Sequence, residues 1–307
     1  MTSIKTITIA TRNSPLAMWQ ANFTADLIEQ AFPSIKTKLL PMTTKGDRIL
    51  DVTLNKIGGK GLFLKELEQA MLAGTADIAV HSMKDVPADM PNEFTLCSIF
   101  KRHDASDAFV SNAYESLEQL PVGSVVGTSS LRRQSQLLAL RNDLRVIPLR
   151  GNVQTRLKKL DDGQYDAIIL ATAGLERMEM DDRIKCKLKA NAWLPAVGQG
   201  AVGLECLSKR TDLIELLSQL EDAETRLCVN AERSMNKVLN GSCSSAIGAM
   251  ATLNKDIISL HALVAQADGS QIIRQNIEGN NAHDVGVQMA QALLNQGAQK
   301  ILDMADD

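Results

Sequence analysis

SVVGTSSLRRQSQLLAL, residues 124–140, and LRVIPLRGNVQTRLKKL, residues 144–160, decide the fold class of this chain. In each, a short β-branched or apolar run stops at Gly, Ser, Thr or Asn, and a pattern of helical period begins. Strand then helix, twice in succession, argues for sheets covered by helices. The same junctions carry arginines. Arg132 and Arg133 fall in the first turn of one predicted helix, Arg150 stands just before the next, and Arg156 lies inside it, on the turn after Asn152. Helix starts favour anions through their unpaired N–H groups and the macrodipole, so cations there oppose the local field. That placement makes sense if an anion is bound among them, and the guanidinium fork suits a carboxylate or a phosphate. Solvated arginines on helix flanks are the alternative at either junction.

Outward from these junctions the alternation continues. KTITIAT (5–11) reads as a strand and SPLAMWQANFTADLIEQAF (14–32) as a helix, with Ser14 as N-cap and Pro15 in the first helical position. IKTKLLPM (35–42), ADIAVHSMKDVP (76–87), YDAIILATAG (165–174) and GAVGLECL (200–207) contain further strands, and LFLKELEQAMLAG (62–74) is an amphipathic helix ending at Gly74. The stretch 43–61, TTKGDRILDVTLNKIGGKG, has turn residues and no periodicity, and its length suits a mobile lid. Near position 215 the pattern changes. Residues 214–239 read as one long helix, 251–279 as two or three antiparallel strands with a hairpin turn at Ala267–Ser270, and 282–305 as a final helix.

A chain of 307 residues exceeds one compact core, so two or three domains are expected. A net charge of −3 with 3 % aromatics argues against coating nucleic acid, which needs a basic surface and stacking platforms. MTSIKTITIATRNSPL has no long apolar core after a basic start, so no signal peptide is expected. No run of about 18 apolar residues suggests a membrane span. The five cysteines, Cys97, Cys186, Cys206, Cys228 and Cys243, are odd in number, irregularly spaced and without a CxxC pair. They argue against a disulfide framework or zinc site and fit a reducing cytosol.

ADIAVHSMKDVP sets His81, Ser82, Lys84 and Asp85 at and just past the carboxyl end of a strand, the edge where open α/β sheets bind ligands. Asp85 beside Lys84 suits an acid–base pair; the alternative is a loop whose charges cap a helix or face water. His81 reads as structural. IGGKGLF (57–63) is only loosely like a phosphate-cradling loop, lacking Walker spacing, so a flexible loop bearing Lys60 is favoured. TRNSP puts Arg12 at another strand end. Cys186 sits in a basic segment that would make it somewhat reactive. Cys243, in the small-residue loop NGSCSSAIG, is either a reachable thiol or a buried loop residue.

Together, ATRNSPLAMWQA (10–21), GGKGLF (58–63), DIAVHSMKDVP (77–87), VGTSSLRRQ (126–134), LRGNVQTRL (149–157), DAIILATAGLERM (166–178), LPAVGQGA (194–201) and AERSMNKVLNGSC (231–243) resemble, in order and over nearly the whole chain, the porphobilinogen deaminase (hydroxymethylbilane synthase) family. HSMKDVP with TSSLRRQ and RGNVQTR is the most specific part. The resemblance implies an α/β fold with two periplasmic-binding-protein-like lobes, a cleft between them, and a small C-terminal α+β domain. Residues 1–99 and 200–217 would form the first lobe, with the chain returning near AVGLECL; 100–199 the second, arginine-rich lobe; and 218–307 the third domain.

The implied reaction joins four porphobilinogen units head to tail with loss of ammonia, then frees hydroxymethylbilane with water. Cys243 matches the position that holds a dipyrromethane cofactor by thioether. Asp85 matches the catalytic carboxylate, which would assist proton transfer at the leaving amine and pyrrole nitrogens and stabilise a cationic azafulvene. Ser82, Lys84, Asp85, Thr128, Ser129, Ser130, Arg132, Arg133 and Arg156 match cofactor-binding positions. Arg12, Ser14, Gln20, Arg150, Asn152, Arg156, Arg177 and Gln199 match substrate-binding ones; no metal is implied. Each pyrrole carries acetate and propionate, so the growing chain is a polyanion, which gives the arginines a partner. A cytoplasmic monomer acting on porphobilinogen is expected, with no nucleic-acid or membrane partner and with hand-off to uroporphyrinogen-III synthase. Two positions depart from the family pattern: Ser242 stands where a second glycine is usual, and Ala246 where proline is common. The thiol remains, so the departures bear on loop rigidity and cofactor loading. Two rival readings are a non-catalytic anion-binding module of periplasmic-binding-protein type and a phosphate-handling enzyme using GGKG.

Overall fold

Alternating apolar side chains on the first strand bury both of its faces, and the sheet around it follows. In the computed structural model, which describes residues 4–44, 64–188, 192–241 and 245–306, β1 (Thr6–Arg12) turns Ile7 and Ile9 into one fully buried cluster and Ala10 into another. Helix α1 (Pro15–Ala31) contributes Ala21 and Ile28 to the first cluster. After β2 (Lys36–Met42), α2 (Lys65–Leu72) contributes Leu67, Ala70 and Met71 to the second. A strand covered on both faces reads as a nearly continuous apolar run. The GGKG segment with Lys60, and Cys243 with its neighbour Ser242, lie outside the described residues.

The described chain divides into two units. The first takes 4–44, 64–103 and 201–226. Its sheet adds β3 (Ile78–Ser82), β4 (Phe94–Ile99) and β10 (Val202–Leu207), in the order β2-β1-β3-β10-β4. The second takes 104–200 and 227 onward. Its first sheet comprises β5 (Asp107–Val110), β6 (Val125–Gly127), β7 (Arg145–Ile147), β8 (Ala167–Ala171) and β9 (Cys186–Leu188), in the order β7-β6-β8-β5-β9. Helices α3 (Leu131–Leu140), α4 (Val153–Asp161) and α5 (Thr172–Glu176) follow β6, β7 and β8.

The two sheets share one plan. Three strands run parallel, the next is antiparallel to both of its neighbours, and a last strand closes the edge. The alternation in sequence led to parallel sheets, and the antiparallel strands β5 and β10 correct this. Neither is fed by a βα crossover within its own sheet, so nothing imposes the parallel direction. Every residue of β5 and of β10 is buried, as interior strands require.

The stretch 214–239 is not one helix. α6 (Thr211–Leu217) ends, and α7 (Ala223–Val238) starts where the Asp222 carboxylate accepts from Thr225 N–H at 2.8 Å. Three antiparallel strands follow, β11 (Ile247–Asn254), β12 (Ile257–Ala265) and β13 (Ile272–Gly279). The second hairpin has Ala267–Ser270 in its loop; the first turns through Lys255, whose φ of 56° gave no sequence signal. The final helix is also two, α8 (Ala282–Asn295) and α9 (Ala298–Asp306), parted by Gly297 at φ 94°. These helices and α7 cover one face of the sheet through Met235, Leu260, Val264, Met289 and Leu293. No helix among the described residues is long and apolar enough to cross a membrane.

Helices α7 and α8 are in close contact at Gly286. A β-carbon there would press on the Ala231 carbonyl and lie 2.6 Å from Ser234 Cβ and 2.8 Å from Met235 N. Gly286→Ala should therefore destabilise the second unit by about 1–3 kcal/mol despite its better helix propensity. Urea unfolding of the two proteins measures this; an unchanged or raised midpoint contradicts the packing.

Candidate active site

In both units the residues singled out from sequence gather at the carboxyl ends of the parallel strands. In the first, Arg12 closes β1 and Ser82 closes β3. Ser14 sits at the N-cap of α1 without a capping side-chain bond, and Gln20, buried on that helix, donates to Ser82 Oγ at 2.8 Å. Lys84 and Asp85, both half-buried, ride a single 3₁₀ turn, Met83–Asp85. Three contacts fix that turn from below. Met83 N–H donates to the Ala201 carbonyl at 3.0 Å, and its 1 %-exposed side chain fills the space over Gly203, where a β-carbon would collide with Sδ. One residue before Ser82, His81 Nε2 lies 2.8 Å from Glu205 Oε2 on β10, both side chains buried. His81 is thus packed beneath the strand end as a structural group, in keeping with its reading from sequence.

In the second unit the two arginine junctions are neighbours because β6 pairs with β7. Ser129 joins them: its Oγ donates to the Leu149 carbonyl at 3.0 Å and accepts from Leu149 N–H at 3.1 Å. Ser130 caps α3 and Asn152 caps α4, the latter accepting from Thr155 N–H at 2.8 Å. Thr128 Oγ1 accepts from Ser130 N–H at 3.1 Å. Gly151, at φ 114° and with Thr155 Cγ2 2.6 Å from where a β-carbon would stand, makes the tight turn between Arg150 and Asn152. Arg156 Nε returns to the Gly151 carbonyl at 2.8 Å.

Arg132 and Arg133 are 4 % and 6 % exposed, and sequence supplied no partner for them. The structure supplies Asp107, the first residue of β5 and fully buried. It accepts from Arg132 Nη1 at 2.7 Å, Arg133 Nη2 at 2.7 Å and Nε at 3.1 Å, Trp193 Nε1 at 2.7 Å and Gln199 Nε2 at 3.0 Å. Burial opposes its charge, but the two guanidinium groups prevail and hold its pKa far below the usual carboxylate range. Burial lowers Arg132 against Asp107's pull. Arg177, 8 % exposed and hydrogen-bonded to the Gly200 carbonyl at 2.7 Å, is pulled down to about 10 by burial. Arg132 and Arg133 thus place two buried cations around the Asp107 carboxylate, and guanidinium forks of this kind can pair with carboxylates.

Asp107 and Trp193 escaped the sequence reading because β5 is only four residues long and its acid has no local pattern. Cys186 differs from expectation: it is half-buried, and burial together with Glu118 and Glu115 raises its thiol pKa, opposing reactivity.

Residues 7–215 match the family model described as porphobilinogen deaminase, dipyromethane cofactor binding domain, and residues 226–295 match porphobilinogen deaminase, C-terminal domain. Porphobilinogen deaminase of Nitrosomonas europaea is 54 % identical over 304 residues, covering 98 % of this chain and 99 % of that one. The chain belongs to the porphobilinogen deaminase family. Among solved structures, a double mutant of the BvgS VFT2 domain of Bordetella pertussis is 14 % identical with a TM-score of 0.45, over 75 % of this chain and 92 % of that one. The methionine binding protein MetQ is 13 % identical, also with a TM-score of 0.45, over 77 % and 96 %.

The His81–Glu205 pair lends itself to a double-mutant cycle. Removing one partner, as in Glu205→Leu, should cost about 3–5 kcal/mol, and adding His81→Leu should recover part of that loss. Urea unfolding gives the four free energies. A double mutant no more stable than Glu205→Leu would mean the pair is not the structural unit its burial indicates.

Proposed function

We propose that this chain condenses four porphobilinogen molecules head to tail, with loss of ammonia, and releases hydroxymethylbilane, primed by a dipyrromethane on Cys243. The observation that supports the reading is the surplus of buried arginine over buried carboxylate at the strand ends of the second unit: among the described residues, Arg132 and Arg133 share the one acid Asp107. A substrate bearing acetate and propionate supplies what is missing. The bound dipyrromethane gives the reaction its primer. Thr128, Ser129, Ser130, Arg132, Arg133 and Arg156 would hold it, together with Ser82, Lys84 and Asp85. Arg12, Ser14, Gln20, Arg150, Asn152, Arg177 and Gln199 would hold incoming substrate carboxylates and polar edges.

Asp85 serves as the catalytic carboxylate. Placed on the turn above Met83, it can take up and return a proton at the departing amine and the pyrrole nitrogen, and balance positive charge on the substrate. The nearby Lys84 carries the charge sign that suits substrate carboxylates. A cytosolic monomer passing product to uroporphyrinogen-III synthase completes the reading. A non-catalytic anion-binding module would need neither the Asp85 turn nor a thiol at Cys243.

The intact mass of the purified protein should exceed that of its sequence by two linked pyrrole units, and Cys243→Ala should abolish the excess. An active protein of unmodified mass, or a label on Cys97, Cys186, Cys206 or Cys228, refutes the attachment.

Asp85→Asn removes charge and basicity while keeping shape, so turnover of fully loaded enzyme should fall at least about a hundredfold. Asp85→Glu should retain more activity than Asp85→Asn. Ammonia release by holo-variants of verified mass is the measurement, and near-normal turnover of Asp85→Asn would assign the role elsewhere.

A further inference from the structure

The Asp107 cluster reaches beyond the two arginines. Trp193, 2 % exposed, donates its indole N–H to Asp107, and the next residue, Leu194, is gripped by α3. Its carbonyl accepts from Arg132 Nη1 at 2.7 Å and from Gln136 Nε2 at 3.0 Å, while its N–H donates to Gln136 Oε1 at 2.7 Å. The helix that carries Arg132 and Arg133 is therefore locked to residues 193 and 194. The same short segment is locked to the C-terminal sheet. Pro195 accepts from Ala249 N–H at 2.9 Å, and the Leu194 side chain packs with Ala246, Leu263 and Ala265. Four residues on, Gly198 N–H donates to Glu232 Oε2 at 2.7 Å, and Ala251 N–H on β11 donates to Glu232 Oε1 at 2.9 Å. Glu232 is fully buried.

The arginine-bearing helix α3 and the C-terminal sheet thus share one strap, residues 193–198. At one end stand the arginine forks on Asp107; at the other is the start of β11, four positions after Cys243 in sequence. Stability alone does not explain this design. A buried ion cluster of two cations and one anion is a costly way to fill a core, and apolar side chains of similar volume often serve as well or better. What such a cluster supplies is direction, since Arg133 Nε and Nη2 both donate to Asp107 Oδ1 while Nη1 donates to the Ile169 carbonyl, and together these fix the plane of that guanidinium.

We propose that Asp107 is a positioning residue: it orients Arg132 and Arg133 and, through Trp193 and the Gln136–Leu194 clamp, holds them in register with the start of the C-terminal sheet. Its function is exercised in cofactor loading, when substrate carboxylates must be met by donors already in place. The inference rests on the proposed reaction, which the experiment tests separately.

Apo-protein made in a host unable to form porphobilinogen would be treated with porphobilinogen, and its covalent mass gain followed in time. Gln136→Leu and Trp193→Phe keep bulk and remove the clamp or the indole donor. Leu293→Ala, in the apolar core beneath α8, is the control for lost stability. Thermal midpoints of all apo-proteins are measured alongside, and rates are compared at equal distance below each midpoint. Displacement of an orienting group by about 1 Å can cost a hundredfold, so both variants should load at least about tenfold more slowly than the control. Asp107→Asn should be slower still; if it does not fold, the other two carry the test. Loading of Gln136→Leu and Trp193→Phe at the control's rate would reduce the cluster to a structural element and overturn the inference. If wild-type apo-protein gains no mass, the proposed reaction falls first, and the inference with it.

Discussion

One fully buried carboxylate governs the second unit. Asp107, itself without exposure, receives five side-chain hydrogen bonds from four residues, two of them arginines that keep 4 % and 6 % of their surface exposed. Bringing three charges out of water costs several kcal/mol per ion, and mutual attraction offsets that only with good geometry. The geometry is good: the arginine contacts lie at 2.7–3.1 Å. Charge balance remains incomplete, because one anion cannot neutralise two cations. That surplus is the physical ground for the proposal that substrate carboxylates are met there.

The first unit solves a different problem with the same sheet plan. Its parallel strands also end in polar residues, but Asp85, the carboxylate proposed to be catalytic, is half-buried on a turn. The rigidity comes from beneath, through Met83 packed against Gly203 and the buried His81–Glu205 pair. A group that must exchange protons has to stay near solvent and substrate, whereas a group that only orients cations can be sealed in. The two carboxylates differ in environment in the way their proposed tasks require.

Much of this was legible in the chain itself. Ser14 with Pro15 announced one helix start and the small polar residues at the two arginine junctions two more, and the structure has helices beginning at Pro15, Leu131 and Val153. The strand ends bearing Arg12, Ser82, Thr128 and Arg150 were set by the switch from β-branched runs to helical period. Periodicity could not see the break at Asp222 or the one at Gly297. Both lie within apolar patterns that continue in phase across them, and only a capping bond or a positive φ marks the change.

Sequence alone determined the α/β class, the placement of arginines at strand-to-helix junctions and the family motifs, because these are local patterns of side-chain period and residue type. Tertiary structure decided the direction of β5 and β10, the pairing of His81 with Glu205 across 124 positions, and the meeting of Asp107 with Arg132, Arg133, Trp193 and Gln199. Those partners lie 25 to 124 positions apart. A charge far along the chain leaves no periodic trace near its partner. Only the closing of the sheets brings them within hydrogen-bonding distance, and the penalty for burying a charge unpaired then selects the arrangement.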